Sequence, residues 1–387
     1  MNTFAPLECR KGYGGIYIHY PYCVHKCAYC DFYSAGIGLG KSGKDEELFS
    51  AFRNETDFRL RQFPEARNLV YDTVFFGGGT PSKADPEEIH KFLYFLKDRL
   101  HIAPDAEITV ECNPEDLTAE LLRSYSEAGI TRINAGVQSF SPVHLKTLDR
   151  HYRGEKYGQI LEILKNSPFS KKGIDLIYGI PGQTMNDFFS DVKTAAENGL
   201  SHISAYSLTA EKGTEYYRKI GTGQSLSPNE ELQSEILHLL PKFLSDFNYR
   251  QYEVSNYSIA GYESFHNLKY WLMEEYLGIG PGAHGFIGNR RYSNVRSTDV
   301  YLRMNWSSDS EISDPPAELA LCLFRIFIPI RLNGFLDRFL PEKKDPALSL
   351  IENWKNEGYC TWENGVFEWK QKAVIYLDDR ISEFAGL

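Results

Sequence analysis

From Gly15 to Leu208 the sequence alternates short apolar, β-branched runs with longer amphipathic stretches, and that rhythm leaves few folds open. The runs Gly15–Tyr20, Asp72–Phe76, Glu107–Glu111, Arg132–Val137, Gly173–Tyr178 and His202–Leu208 predict strands. Helical patterns lie between them at Lys44–Gln62, Pro86–Leu100, Thr118–Ala128, Ser141–Leu148 with Lys156–Lys165, and Met185–Asn198. Asp85-Pro-Glu-Glu, and Gly129 and Gly199 near helix ends, fit ordinary caps. Strands joined through helices run parallel, so the expected fold class is α/β, a partial TIM-like barrel of six βα units. Such barrels carry their active groups at the C-terminal ends of the strands.

After about residue 210 the rhythm breaks. Ser227-Pro-Asn-Glu230 reads as a capping box with Pro at the first helical position, opening a helix to Ser245. An aromatic strand-like run (Tyr249–Tyr257), a Gly-rich turn (Leu277–Gly285) and a linker-like segment (Ser307–Pro316) follow. The expected organisation is an N-terminal segment 1–13, a βα core 14–225, a region 226–306 with a barrel-closing helix, and a smaller α+β accessory domain 307–387. A formal charge of −10 argues against a nucleic-acid surface. No 18-residue apolar run offers a membrane span, and MNTFAPLECRKGYGG has no apolar targeting core. With thiols expected reduced, the reading is cytoplasmic.

Cys23, Cys27 and Cys30 form a CxxxCxxC triplet just after the first strand. Three thiolates at this spacing can hold three irons of a 4Fe–4S cubane, which leaves the fourth iron open to a small ligand. A structural zinc site stays open as an alternative, with His19 or His25 completing Cys₃His, although zinc usually draws on two separated pairs. Cys9, Cys112, Cys322 and Cys360 are isolated and read as small buried apolar residues. An odd cysteine count without a secretory signal disfavours disulfides.

The other suggestive groups fall at the same strand ends. Phe76-Gly-Gly-Gly-Thr-Pro81 follows the second strand, and its glycines let backbone approach a ligand and offer N–H donors. Glu111 with Asn113-Pro114 ends the third strand, Gln138 ends the fourth, and Asp175 with Gly179-Ile-Pro-Gly-Gln-Thr184 marks the fifth. Each alone is as readily a turn or a solvated carboxylate. Together they trace one rim.

With these residues, the chain resembles the radical S-adenosylmethionine (SAM) superfamily, and within it the branch of oxygen-independent coproporphyrinogen oxidases and the related HemW heme chaperones. The resemblance covers residues 14–387. It implies that Cys23, Cys27 and Cys30 ligate the 4Fe–4S cluster, that SAM chelates the open iron, and that an electron from the cluster cleaves SAM to a 5′-deoxyadenosyl radical. By motif, Tyr17 and Tyr29 would flank SAM, and Gly78, Gly79 and Thr80 would contact it through the glycine turn. Glu111 would take its amino group or ribose. Gln138, Arg150 and Asp175 resemble further SAM contacts, and Tyr206-Ser207-Leu208 aligns loosely with another.

Two departures separate the chain from the oxidases. Their pattern is CxxxCxxCxC, and here Phe32 stands at the fourth position. Their longer N-terminal extension is replaced by about 13 residues. His266-Asn-Leu-Lys-Tyr-Trp271 resembles the HNxxYW signature of the heme chaperones, which makes His266, Tyr270 and Trp271 candidate heme contacts, with His284 a second candidate. An imidazole can ligate heme iron, and aromatic rings pack on a porphyrin face, although an aromatic cluster with one His also reads as core. The resemblance thus implies a heme chaperone that delivers heme as cargo to heme-dependent proteins, membrane respiratory enzymes among them, through transient membrane contact. The alternatives are coproporphyrinogen III decarboxylation with a SAM-derived radical, and a zinc-stapled barrel that binds a partner protein.

Overall fold

A computed structural model describes residues 5–36, 44–150, 157–304, 306–311 and 315–387. Six parallel strands form its centre, β1 (Tyr13–Tyr20), β2 (Val70–Gly78), β3 (His101–Cys112), β4 (Arg132–Gln138), β5 (Lys171–Tyr178) and β6 (His202–Ser207), paired in chain order. Helices α1 (Lys44–Gln62), α2 (Pro86–Arg99), α3 (Ala119–Ala128), α4 (Pro142–Thr147) with α5 (Tyr157–Lys165), and α6 (Met185–Glu197) make the crossovers. The fold is the expected α/β, a partial TIM-like barrel. Lys156, at the expected start of α5, lies outside the described residues.

The alternation within each strand explains both faces of the sheet. One face carries Ile16 and Ile18, Val74 and Phe76, Ile108 and Val110, Ile133 and Ala135, Ile174 and Leu176, and Ile203 and Ala205, all in the main hydrophobic core. The opposite face is polar. It carries Thr109, Glu111, Arg132, Asn134, Asp175, His202 and Ser204, all lining one interior cavity. Thr109 pairs in register with Arg132, and Glu111, Asn134, Gly173 and His202 form the next row.

The caps follow local chemistry. Asp85 accepts from Glu87 N–H, Thr118 from Leu121 N–H, and Gly129 closes α3 in the left-handed region at φ 91°. Helix α7 (Glu215–Gly221) follows β6, and α8 (Glu230–Ser245) ends where expected. Its cap is Asn229, not Ser227, because the Asn229 side chain reaches Leu232 N–H at 3.1 Å.

Past α8 the chain returns to the sheet, which has twelve strands among the described residues. The aromatic run is two short strands, β7 (Arg250–Glu253) and β8 (Asn256–Ser258), with β8 antiparallel to β6. Helix α9 (Phe265–Trp271) comes next. The expected Gly-rich turn is mostly strand. β9 (Glu275–Ile279) lies parallel to β1, and β10 (His284–Ile287) and β11 (Arg290–Asn294) extend the sheet beyond it. The expected linker begins as an edge strand, β12 (Ser307–Glu311), and residues 312–314 lie outside the described residues. The apolar side chains of 319–384 build a second core with Tyr252, Leu268, Leu272 and Met273. There β13 (Ile330–Arg331), β14 (Cys360–Glu363) and β15 (Val366–Trp369) form a small sheet. The N-terminal segment joins this module: Leu7 pairs with Ile330, its N–H donating to Pro329 and its carbonyl accepting from Arg331.

Candidate functional site

The cavity opens at the C-terminal strand ends and runs down the barrel, with a volume of about 850 Å³. Its rim gathers Cys23, Cys27, Cys30, Tyr17, Tyr29, Gly78, Gly79, Thr80, Glu111, Gln138, Arg150 and Asp175. These rim residues marked in the sequence line one cavity, whereas Pro114 and Gly179–Thr184 are not part of its lining.

The cysteine loop leaves β1, and Cys30 N–H bonds back to the Cys27 carbonyl at 3.1 Å. Thr80 Oγ1 lies 3.3 Å from Cys23 Sγ, and Arg150 Nη1 lies 3.4 Å from Cys27 Sγ. Burial pushes the Cys23 thiol up and the Cys30 thiol to about 11. Positive charge beside the sulfurs opposes that effect, as Arg150 does and as iron would. Among the described residues no group of three or more His, Cys, Asp or Glu could hold a single metal ion. His19 is engaged with Tyr33 O and Tyr17 Oη, and His25 with Asp149 O. The donors are thus not gathered on one point as a zinc site requires, whereas each thiolate of a cubane takes its own iron.

The glycine turn serves the loop differently from expectation. Gly79 N–H donates to Tyr20 O at 2.7 Å and Thr80 N–H to Tyr22 O at 2.9 Å, while Gly78 N–H donates to the Glu111 carboxylate. These donors are used within the protein and are not offered to a ligand. A Cβ on Gly79 would sit 2.8 Å from the backbone of Tyr20, Pro21 and Tyr22, so glycine is needed to let the cysteine loop pass. Gly79→Ala is expected to weaken SAM binding at least tenfold, about 1.4 kcal/mol, in an anaerobic titration. Wild-type affinity in that variant would show that the loop does not need this close approach.

Glu111 and Asp175 face the same interior. Burial, with Asp175 nearby, pushes the Glu111 carboxyl up to about 8, and burial also raises Asp175. Arg150 stays charged, donates to Gly136 O at 2.8 Å, and has its buried Nε without a hydrogen-bond partner. Two buried carboxyls and one arginine suit a ligand that carries both a cationic and an anionic end, as SAM does. Gln138 holds φ 69° at the end of β4, a left-handed conformation rare outside glycine.

The HNxxYW motif lies at the opposite end of the barrel. Helix α9 crosses the barrel near the starts of its strands, and Glu107 in the middle of β3 and Arg132 at the start of β4 anchor it. Arg132 donates to Tyr262 O at 2.8 Å and Glu263 O at 2.7 Å, and Phe265 N–H donates to Glu107 at 2.9 Å. Glu107 also pairs with Arg132 and Lys171. From this plug His266 and Tyr270 line the same cavity as the cysteines. His266 Nδ1 is bonded to Thr73 Oγ1 and Nε2 to Tyr270 Oη, each at 2.8 Å. Its ring stacks on Phe75, and burial lowers its pKa to about 3, so it is neutral. Trp271 is placed apart from the cavity, bonded to the buried Glu253 and packed on the second core. His284 lines the mouth and is exposed.

Reading motifs alone missed Arg132, Glu107, Thr73 and His202. The signal that marks them is a polar residue every second position in otherwise apolar strands.

The radical SAM superfamily model matches residues 17–195. The heme chaperone HemW of Mycobacterium tuberculosis (strain ATCC 25618 / H37Rv) is 36% identical over 292 residues, 75% of this chain and 74% of the relative. The heme chaperone HemW of Escherichia coli (strain K12) is 33% identical over 384 residues, covering 95% and 97%. Among solved structures, the coproporphyrinogen III oxidase HemN from Escherichia coli, a radical SAM enzyme, superposes with a TM-score of 0.78 at 19% identity, over 96% of this chain and 90% of that one, and so shares the fold. With its polar-lined barrel, its rim cysteines and relatives matching nearly its full length, the chain belongs to the HemW heme chaperone family of the radical SAM superfamily.

Proposed function

We propose that this protein holds heme and passes it to heme-dependent proteins, respiratory enzymes among them, while carrying SAM and a 4Fe–4S cluster. Membership of the superfamily implies the cluster and SAM. Cys23, Cys27 and Cys30 hold the cluster. Tyr17, Tyr29, Glu111, Gln138, Arg150 and Asp175 receive SAM, and Gly78, Gly79 and Thr80 shape the turn beside it. His266 and Tyr270 meet the heme. When bound, the cluster supplies an iron to anchor SAM and an electron to reduce it. The protein's own groups orient the ligands: Arg150 holds negative charge beside Cys27, and Glu111 and Asp175 accept a cationic group. Phe32, 64% exposed at the mouth, offers no fourth thiolate.

The observation that carries this reading is that the rim triplet and the His266 side chain line one cavity. In the present geometry His266 Nε2 is occupied by Tyr270 Oη, so ligation of heme iron requires that hydroxyl to move aside. His266→Ala is expected to weaken heme binding at least tenfold, about 1.4 kcal/mol, and Tyr270→Phe, which frees Nε2, is expected not to weaken it. Visible titration with heme under anaerobic conditions measures both, and unchanged affinity in His266→Ala removes His266 from the heme site. An anaerobic assay with SAM, reductant and coproporphyrinogen III separates the two porphyrin readings, since decarboxylated product would favour the enzyme. No helix among the described residues is long and apolar enough to cross a membrane. In this reading delivery proceeds by surface contact, and the charge of −10 gives it no general attraction to anionic lipid.

A further inference from the structure

Among the polar atoms of the barrel interior buried without a hydrogen-bond partner are His202 Nδ1 on β6 and Thr109 Oγ1 on β3, beside the Nε atoms of Arg132 and Arg150. His202 and Thr109 line the cavity, and they are 2% and 0% exposed. An unmet buried group costs about 1–3 kcal/mol and is uncommon in native folds.

The bonds around His202 assign its tautomer. Ser264 N–H donates to Tyr252 Oη at 3.2 Å, and Tyr252 Oη lies 2.7 Å from His202 Nε2. With the ring proton on Nε2, the tyrosine proton and the Nδ1 lone pair would both lack partners. With it on Nδ1, the tyrosine donates to Nε2 and a single orphan remains. Burial beside Arg132 keeps the ring neutral. His202 thus presents a fixed N–H donor.

Gly173 lies between Asn134 and His202 in the sheet register. A Cβ there would come within 2.7 Å of Asn134 Oδ1 and 3.1 Å of His202 Nδ1. Asn134 Nδ2 is spent on Asp175 at 2.8 Å, so its oxygen is the atom turned to the gap. The absent side chain therefore leaves a space with a donor on one side and an acceptor on the other. A carboxyl group in its acid form matches that pair: its carbonyl oxygen accepts from Nδ1–H and its hydroxyl donates to Oδ1. Burial favours that neutral form. The stacked wall of Tyr17, Phe75 and His266 stands in the same cavity.

We propose that this gap seats a carboxyl group of the bound porphyrin, with Thr109 Oγ1 as a second polar contact one row deeper. The inference rests on the heme reading above and names the residues that recognise the cargo by its acid side chains. The methionine end of SAM also bears a carboxyl, so the test separates the two sources.

Heme and SAM dissociation constants are measured for the full chain and for His202→Gln, His202→Asn and Thr109→Val. Glutamine places its amide near Nε2, keeps the Tyr252 contact and loses the Nδ1 donor; asparagine restores a donor near Nδ1. His202→Gln is expected to weaken heme binding at least about tenfold and His202→Asn to recover most of it. Thr109→Val is expected to weaken heme binding while leaving the thermal midpoint equal or higher, since its hydroxyl has no partner to lose. SAM affinity stays unchanged throughout, and the wild type prefers heme to heme dimethyl ester. Unchanged heme affinity in His202→Gln, or equal binding of the ester, overturns the carboxyl seat and leaves the heme reading standing. Loss of SAM affinity with heme binding intact overturns it in favour of SAM. A wild type that takes up no heme removes the heme reading and the seat together.

Discussion

Replacing any one of Cys23, Cys27 or Cys30 by alanine is expected to abolish the broad visible absorption of anaerobically reconstituted protein and to strip most of its iron. The argument rests on position. The three sulfurs sit on one short loop that is fixed from three sides, by Thr80 at Cys23, by Arg150 at Cys27, and by the glycine turn beneath. The isolated cysteines offer no replacement on that loop, since Cys112, although it ends β3 and lines the cavity, packs in the main core with its thiol directed at Val110 O, Cys360 is buried in the second core, and Cys9 and Cys322 pack on that core. A loop with two thiolates cannot hold a cubane that already lacks its fourth cysteine. Iron and sulfide analysis with the visible spectrum decides the matter, and full absorption in any of the three variants would sink the cluster assignment.

The second large effect lies at the other end of the barrel. Glu107→Ala removes the carboxylate that Lys171 and Arg132 share, together with the acceptor for Phe265 N–H. Breaking a buried ion pair from one side leaves an uncompensated charge, which costs about 3–5 kcal/mol. Arg132 is 2% exposed, so water cannot readily take the lost partner's place. Urea unfolding should show a loss of that size. Heme uptake should fall with it, because α9 carries His266 and Tyr270. A loss below about 1 kcal/mol would mean that α9 is held mainly by the second core and not by this anchor.

Much of this was legible from the chain. The βα rhythm predicts the six parallel strands and their helices closely, because parallel strands covered by helices need apolar faces that the sequence displays. The rim motifs converge because strand ends in a barrel share one opening. The C-terminal half resisted reading. Leu277–Ile279 looks like part of a turn, yet it pairs with β1, and only the tertiary fold supplies that partner. Ser307–Glu311 looks like a linker because an edge strand needs no apolar pattern. The glycine turn was recognised, but which atoms its N–H groups meet depends on a loop far from it in sequence. That α9 is a plug was not legible, since its anchors, Arg132 and Glu107, sit in strands and carry no motif.

The pairing of Leu7 with Ile330 also bears on how the molecule folds. It joins the start of the described chain to the first strand of the small sheet, with the whole barrel between the two in sequence. Contacts so distant in sequence contribute little to early folding and much to final closure. Arg10 extends the same segment into the motif helix, bonding Glu274 at 2.9 Å and Asp72 at 2.8 Å, where Lys269 of HNLKYW joins both carboxylates. The segment is a clasp of long sequence separation, expected to close late, and it braces the helix that carries HNLKYW.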